Sequence, residues 1–327
     1  MHLRLLARQT WFGAFLAAIL VFCFFAVFGG ANGFVSLGGT AGWLNTAAEL
    51  GIIAVPIGLL MIAGEFDLST GSVVGAASII VAISTSFLGM PVIVGILIAL
   101  AMGVSVGLVN AALVHKTRVP SFIVTLATNF VVAGTALAVS RIISGSSTLS
   151  MPDAGWADAV FSARWNQMYI SIIWWAIASA IAAWVLRSTP FGSWIFAVGG
   201  NNDAAQRAGV PVWRVKRVLY VWTGVSAAFV GIMTAIQFNQ GNAVAGQGYV
   251  FQTAIAAVIG GVLLTGGFGS VIGVVFGCMI YGMITIGLFY TGWPTDWSQA
   301  FIGSLLVLAV LANNVIRDLA LKSDTAE

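Results

Sequence analysis

Charge is the scarcest feature of this sequence. Only 7% of its 327 residues are charged and 60% are hydrophobic, with a mean hydropathy of +1.03, whereas a soluble domain carries roughly 25% charged residues. No soluble core buries that much apolar surface, so a water-soluble globular domain is excluded. Cysteine is nearly absent: Cys23 and Cys278 lie inside apolar runs without ligand-spaced partners, which predicts packing rather than a disulfide or a metal site. Lysine occurs only at 116, 216 and 322, never after glycine. The Gly-Lys-Ser/Thr loop that cradles a nucleotide's phosphates is therefore missing, and this chain is not expected to hydrolyse nucleotide. The two histidines, His2 and His115, stand apart from any acid and nucleophile grouping, which disfavours a triad, a metal cluster and a membrane enzyme. A net charge of +3 on basic residues scattered between apolar runs leaves no nucleic-acid footprint.

What the chain has is long apolar runs. Crossing the hydrocarbon layer takes about 20 apolar residues, and ten runs qualify, at about 11–30, 44–63, 71–89, 91–114, 120–140, 167–186, 219–238, 249–265, 271–289 and 298–315. The predicted fold class is an all-α integral membrane protein of about ten transmembrane helices, the least secure being those beside Gly64 and Gly266, where the chain crosses or re-enters the bilayer. The first run, Trp11 to Phe28, is longer than a signal-peptide core and follows Arg4 and Arg8, so it reads as an uncleaved span. With the N-terminus in the cytoplasm, Arg4, Arg8, Lys116, Arg118, Arg187, Arg207, Arg214, Lys216, Arg217, Arg317 and Lys322 fall inside, and only Arg141 and Arg164 outside. That bias supports an even number of spans with both termini cytoplasmic.

The chain reads as one transmembrane domain, 1–327, containing a parallel repeat of halves at about 44–140 and 219–315. Ile57-Gly58-Leu59-Leu60 to Gly64-Glu65-Phe66 matches Ile259-Gly260-Gly261-Val262 to Gly266-Gly267-Phe268, and Gly71-Ser72-Val73-Val74-Gly75 matches Gly269-Ser270-Val271-Ile272-Gly273. Short glycine-interrupted segments at corresponding places in two halves point to a transport site, because opened backbone inside a membrane must meet protein or water. Glu65 and Asp67 sit in the first interruption, where two carboxylates within three residues face a cavity, a partner or the interface. In the plainer reading that segment is a solvated loop, with Asp67 or Ser69 capping the next helix. Glu49 lies inside an apolar run with no evident cation, and Pro56 beyond it predicts a kink. Asn129, Gln237 and Asn239 line a pathway or join helices. Residues 187–218 form the longest polar segment on the inner side, with room for one or two short helices, while Gly145 to Gln167 falls outside with Asp153 and Asp158.

A channel or carrier remains, driven by an ion gradient or by a separate subunit. An external ATPase needs a rigid cytoplasmic knob to act on, and the 187–218 loop supplies one. Its residues Phe196-Ala197-Val198-Gly199-Gly200-Asn201-Asn202-Asp203-Ala204-Ala205-Gln206-Arg207-Ala208-Gly209-Val210 are similar to the ATPase-docking segment of the permease subunits of bacterial ABC importers of the ribose, galactose and xylose type. Glu65-Phe66-Asp67-Leu68-Ser69-Thr70-Gly71-Ser72, Val119-Pro120-Ser121-Phe122-Ile123-Val124-Thr125-Leu126, and Ile255 to Gly261 followed by Gly266-Gly267 resemble further blocks of that family, in the same order. Glu65 departs from it, standing where the family has glycine, and Val250 and Gln252 replace acidic positions.

The resemblance implies an inner-membrane subunit that pairs with a second permease chain, identical or related. It would receive a sugar or polyol from a periplasmic solute-binding protein and be driven by a cytoplasmic ATP-binding subunit. ATP and Mg would bind on that subunit, leaving no cofactor and no metal in this chain. It places Glu49, Glu65, Phe66, Asp67, Ser69, Gly266, Gly267 and Phe268 on the translocation path. The coupling element would comprise Gly199, Gly200, Asn201, Ala204, Ala205, Arg207 and Gly209, with the glycines allowing tight turns, Asn201 capping a short helix, and the two alanines permitting close approach of the ATPase. Three alternatives stand: an ion-coupled carrier using Glu49, Glu65 and Asp67; the same architecture carrying a nucleoside, an autoinducer-type furanose or an amino acid; and a non-transporting scaffold.

Overall fold

A computed structural model describes residues 11–117 and 119–324, with side-chain surroundings up to Leu311. His2, Arg4, Arg8 and Arg118 lie outside the described residues, as do the side chains of Arg317 and Lys322. Thirteen helices are described: α1 (Phe12–Gly29), α2 (Leu37–Ile62), α3 (Thr70–Ala82), α4 (Val92–Thr117), α5 (Ser121–Ser144), α6 (Trp156–Phe161), α7 (Ser171–Ser188), α8 (Pro190–Gly200), α9 (Asn202–Arg207), α10 (Val212–Gln237), α11 (Tyr249–Ile259), α12 (Val271–Thr291) and α13 (Trp297–Asp324). A π-helical turn, Ile83–Phe87, extends α3. The protein is an all-α integral membrane protein in which eight helices are long and apolar enough to cross a bilayer.

The ten apolar runs thus resolve into those eight, α13, and one helix that cannot cross. With 11 residues, α11 rises only about 16 Å, half of a hydrocarbon layer of roughly 30 Å. The hydropathy of the run at 249–265 conceals that break, because the residues after Ile259 are apolar but not helical.

At the centre, α2 runs continuously through Pro56 and is buried at every position from Leu50 to Ile62. It is wrapped by α7, α10, α11 and α12, and α10 packs in turn along α3 and α4. Backbones touch where side chains are missing: Gly103 and Gly107 on α4 meet the backbone of α10 at Gly224 and Tyr220, the small-residue contact that drives helix association without a hydrophobic effect. Leu20, Val27, Phe130, Val131 and Ile142 point outward and exposed, as a lipid-facing surface requires.

The ends of α2, α4 and α7 and the starts of α5, α10 and α12 gather on one face of the molecule, opposite a second face at their other ends. The charge bias assigns the face carrying 63–69, 189–211 and 260–270 to the cytoplasm; it is termed inner in that sense. On the outer face two strand pairs occur that apolar runs do not announce: β1 (Thr148–Ser150) with β4 (Gln240–Asn242), and β2 (Arg164–Trp165) with β3 (Met168–Tyr169), both antiparallel. Ser86 Oγ donates to the Ser150 carbonyl at 2.7 Å, and Asn45 clasps the β2–β3 hairpin through Gln167 and Tyr169.

Candidate translocation and coupling site

After α2 ends, residues 63–69 are neither helix nor strand, yet they are not the solvated loop that the plainer reading expects. Asp67 is 3% exposed and Ser69 1%. Non-helical backbone at membrane depth must find internal partners for its N–H and C=O groups, and two helices provide them. On α5, Ser121 Oγ accepts from the Phe66 amide, Thr125 Oγ1 from that of Leu68 and Asn129 Oδ1 from that of Ser72, at 3.0, 3.0 and 3.2 Å. These three acceptors are four residues apart, so they form one stripe climbing about 12 Å. On α10, Lys216 pairs with Glu65 at 2.5 Å, the Tyr220 hydroxyl donates to the Phe66 carbonyl and Thr223 Oγ1 donates to Asp67 Oδ2 at 2.6 Å. The chain between α2 and α3 is therefore re-entrant: it rises from the inner face along both stripes and starts α3 within the membrane.

The expected cap differs in the same way. Ser69 makes no side-chain capping bond to α3; its hydroxyl and its amide both donate to Asp67 Oδ1, at 2.6 and 2.9 Å. Asn129, from another helix, caps α3 through Ser72 instead and so joins two helices. Replacing Asn129 with leucine removes that acceptor and is expected to cost about 1–2 kcal/mol, read as a lower unfolding temperature of the detergent-solubilised chain. Asn110 on α4 donates to Ser69 Oγ at 2.8 Å and completes the cluster.

The second interruption meets the first. The Gly267 amide donates to the Ile62 carbonyl at 2.8 Å, and Gly64, Gly266 and Gly267 all take positive φ, +81°, +79° and +74°. Gly199 lies on top of both. A Cβ there would land on the Ile62 carbonyl oxygen and 2.6 Å from the Gly267 nitrogen, while one on Gly266 would reach Gly64 Cα at 2.8 Å. The expected turn at Gly199 and Gly200 is in fact the last turn of α8; glycine is required at 199 for contact, not for bending. Phe268 lines a separate cavity of about 210 Å³ with Phe196 and Ser270.

Beyond the junction, Asn201 Oδ1 accepts from the Ala204 amide at 2.9 Å and caps α9, and Gly209 turns the chain back at φ +84°. The two alanines part company: Ala204 is exposed beside Arg207, whereas Ala205 is buried at 5% and is withheld from any partner.

Glu49 is remote from this cluster. It lies midway along α2, as Tyr281 lies midway along α12. Contacts of Gly282 with Trp43 and Ala47, and of Gly58 with Val274, run the two helices antiparallel with Glu49 and Tyr281 at one level. Tyr249, at the start of the half-helix α11, lies in electrostatic reach of both. Among the described residues Glu49 has neither a cation nor a hydrogen-bond donor. Near that level the starts of α3 and α11 meet, and a Cβ on Gly71 would lie 2.5 Å from the Gly246 carbonyl oxygen.

Glu65 is evident as a site residue from sequence but its cation is not, and Ser121, Thr125, Asn110, Tyr220 and Thr223 emerge as parts of the site only in the fold. A signal was present: polar residues at 121, 125 and 129 and at 216, 220 and 223 repeat with helical spacing in otherwise apolar segments.

A family model described as Branched-chain amino acid transport system / permease component matches residues 39–310. The probable ABC transporter permease protein YphD of Escherichia coli (strain K12) is 32% identical over 284 residues, 86% of this chain and 83% of that protein. The L-arabinose ABC transporter permease protein AraH of Azospirillum brasilense is 33% identical over 279 residues, 85% and 80% of the two chains. The galactose/methyl galactoside import permease protein MglC of E. coli K12 is 31% identical over 296 residues, 86% and 88%. No solved structure matches.

Proposed function

This chain belongs to the family of transport-system permease components, and from that premise we propose that it is the membrane subunit of an ATP-driven importer of a sugar or polyol. In this reading a periplasmic binding protein delivers the solute, a second permease chain completes the pore, and a cytoplasmic subunit binds ATP and Mg and hydrolyses the nucleotide. The chain itself catalyses nothing. It sits in the inner membrane with both termini in the cytoplasm, in keeping with the basic residues at the inner face.

One observation carries the mechanism. Gly199, at the end of α8, touches Ile62 and Gly267 with no side chain between, so the element that offers α9 to the cytoplasm rests directly on both interrupted segments. A displacement of α8 and α9 by the ATPase is transmitted to backbone, not damped by side chains. Gly64, Glu65, Phe66, Asp67 and Ser69 from one repeat, and Gly266 and Gly267 from the other, form the inner end of the path, with Phe268 set aside on its separate cavity.

Midway through the membrane the path passes Glu49, where Tyr249 and Tyr281 supply aromatic surface. A buried carboxyl group with neither cation nor donor beside it has its hydrogen-bonding capacity free for solute hydroxyls. The choice of a polyhydroxy cargo rests on the arabinose and galactose permeases among the relatives, and a free carboxyl group on the path suits it.

Deletion of the gene is expected to remove uptake of at least one of ¹⁴C-labelled L-arabinose, D-galactose or D-fructose and to leave leucine uptake intact. Loss of leucine uptake alone would overturn the sugar reading. In the restored strain, Glu49→Gln, which replaces one carboxyl oxygen by an NH2 group, is expected to raise the KM for that sugar roughly ten-fold, the loss of one hydrogen bond to the solute, with little change in membrane abundance.

A further inference from the structure

Side chains of α5 and α10 hold the re-entrant segment and the start of α3 by six rungs, beside the contact from Asn110, and five of them are hydrogen bonds, buried or part-buried in the protein. The sixth is charged and lies at the edge. Glu65 and Lys216, with side chains 10% and 13% exposed, line an open groove of about 1260 Å³ on the inner face. Its walls are Asn202, Asp203 and Gln206 of α9, His115 and Lys116 at the end of α4, and Trp213 and Arg214 of α10. Gly64, the next residue, packs against Gly199. The ion pair therefore stands between the segment that α8 and α9 press upon and the helix that fixes the segment's far end.

We propose that the Glu65–Lys216 pair is a positioning contact: it clasps the inner end of the re-entrant segment to α10 and is the rung through which movement of α9 frees that segment. Three features single it out. Attraction between charges decays more gradually with separation than a hydrogen bond, so this rung holds while the segment shifts and then yields. The groove admits water and ions to it, whereas Tyr220 and Thr223 are sealed at 0% exposure. The other charged groups facing the groove, Asp203, His115, Lys116 and Arg214, make no ion pair with either partner among the described residues. Glutamate and lysine here act as a matched pair, so the glutamate at 65 has meaning only with the lysine at 216.

The clasp itself requires nothing of the partners; its link to α9 rests on the importer reading. Hydrogen exchange read by mass spectrometry on the full chain in lipid nanodiscs tests the clasp with Glu65→Gln, Lys216→Gln and the double exchange Glu65→Lys with Lys216→Glu. The amides of Phe66, Leu68 and Ser69 are expected to exchange about ten-fold faster or more in either single variant and near the native rate in the double exchange, with α2 and α12 unchanged throughout. Native rates in the single variants, or a double exchange as fast as they are, would overturn the clasp. If the single variants do not accumulate, the double exchange decides: native-like protection supports the pair, and failure to accumulate contradicts it. Native membranes holding the whole complex test the link. Adding ATP is expected to speed exchange at these amides in the native chain and the double exchange but not in Gly199→Ala. A clasp that obeys the charge test yet shows no response to ATP would overturn its connection to α9.

Discussion

Gly199→Ala is expected to lower solute uptake roughly ten-fold or more while the ATPase remains bound and active. The added methyl group has no free space, since it falls on the Ile62 carbonyl and against the Gly267 amide, and these are main-chain atoms that no rotamer moves aside. Overpacking of this kind costs typically 1–3 kcal/mol even where side chains give way, and 1.4 kcal/mol is a factor of ten in an equilibrium. Relief requires lifting α8 off the two interrupted segments, which breaks the transmission itself. Gly200→Ala is the control: nothing lies within 4 Å of a Cβ there, so transport is expected to stay within about two-fold of native. Labelled-sugar uptake and ATP hydrolysis measured on the same proteoliposomes separate a coupling defect from loss of protein.

Asp67→Ala is expected to destabilise the chain by roughly 3 kcal/mol, because it strands two buried donors, the amide and hydroxyl of Ser69, each costing about 1–3 kcal/mol when left unpaired, and leaves the Thr223 hydroxyl only the Tyr220 carbonyl. The re-entrant segment then loses its link to α10 at the depth where water cannot substitute. A drop in unfolding temperature on the order of 5–10 °C in detergent is the expected readout. Asp67→Asn keeps one oxygen for Ser69 and is expected to lose less than half as much. If Asp67→Ala melts with the native chain, the segment is held some other way.

Much of this architecture was legible before any coordinates. Apolar length located the crossing helices because the bilayer demands it residue by residue, and the asymmetric spread of Lys and Arg supplies their expected orientation. The glycine blocks at 64 and 266 marked the two interruptions, and Asn201 announced the cap of α9 through ordinary N-cap chemistry. What was hidden shares one cause: it depends on which helices are neighbours. Hydropathy extends the run at 249–265 past the point where α11 stops, since apolar residues read alike in helix and in buried loop. Ser69 looks like a cap by sequence, but Asn129 on a distant helix takes that role, and no local rule anticipates it. Gly199 resembles a turn residue until Ile62 and Gly267 are seen against it. Lys216, 151 positions from Glu65, reads as one more basic residue of a polar loop.

The central claim is that an external ATPase drives solute through this chain by way of the α8–α9 junction. Proteoliposomes containing the complex of this chain with its ATPase and binding protein test it, with labelled sugar supplied on the binding-protein side. Uptake is expected to require ATP on the ATPase side and to persist when ionophores collapse every ion gradient. Uptake that follows an imposed membrane potential and continues without ATP would contradict the account and return Glu49, Glu65 and Asp67 to the role of ion-coupling residues in a secondary carrier.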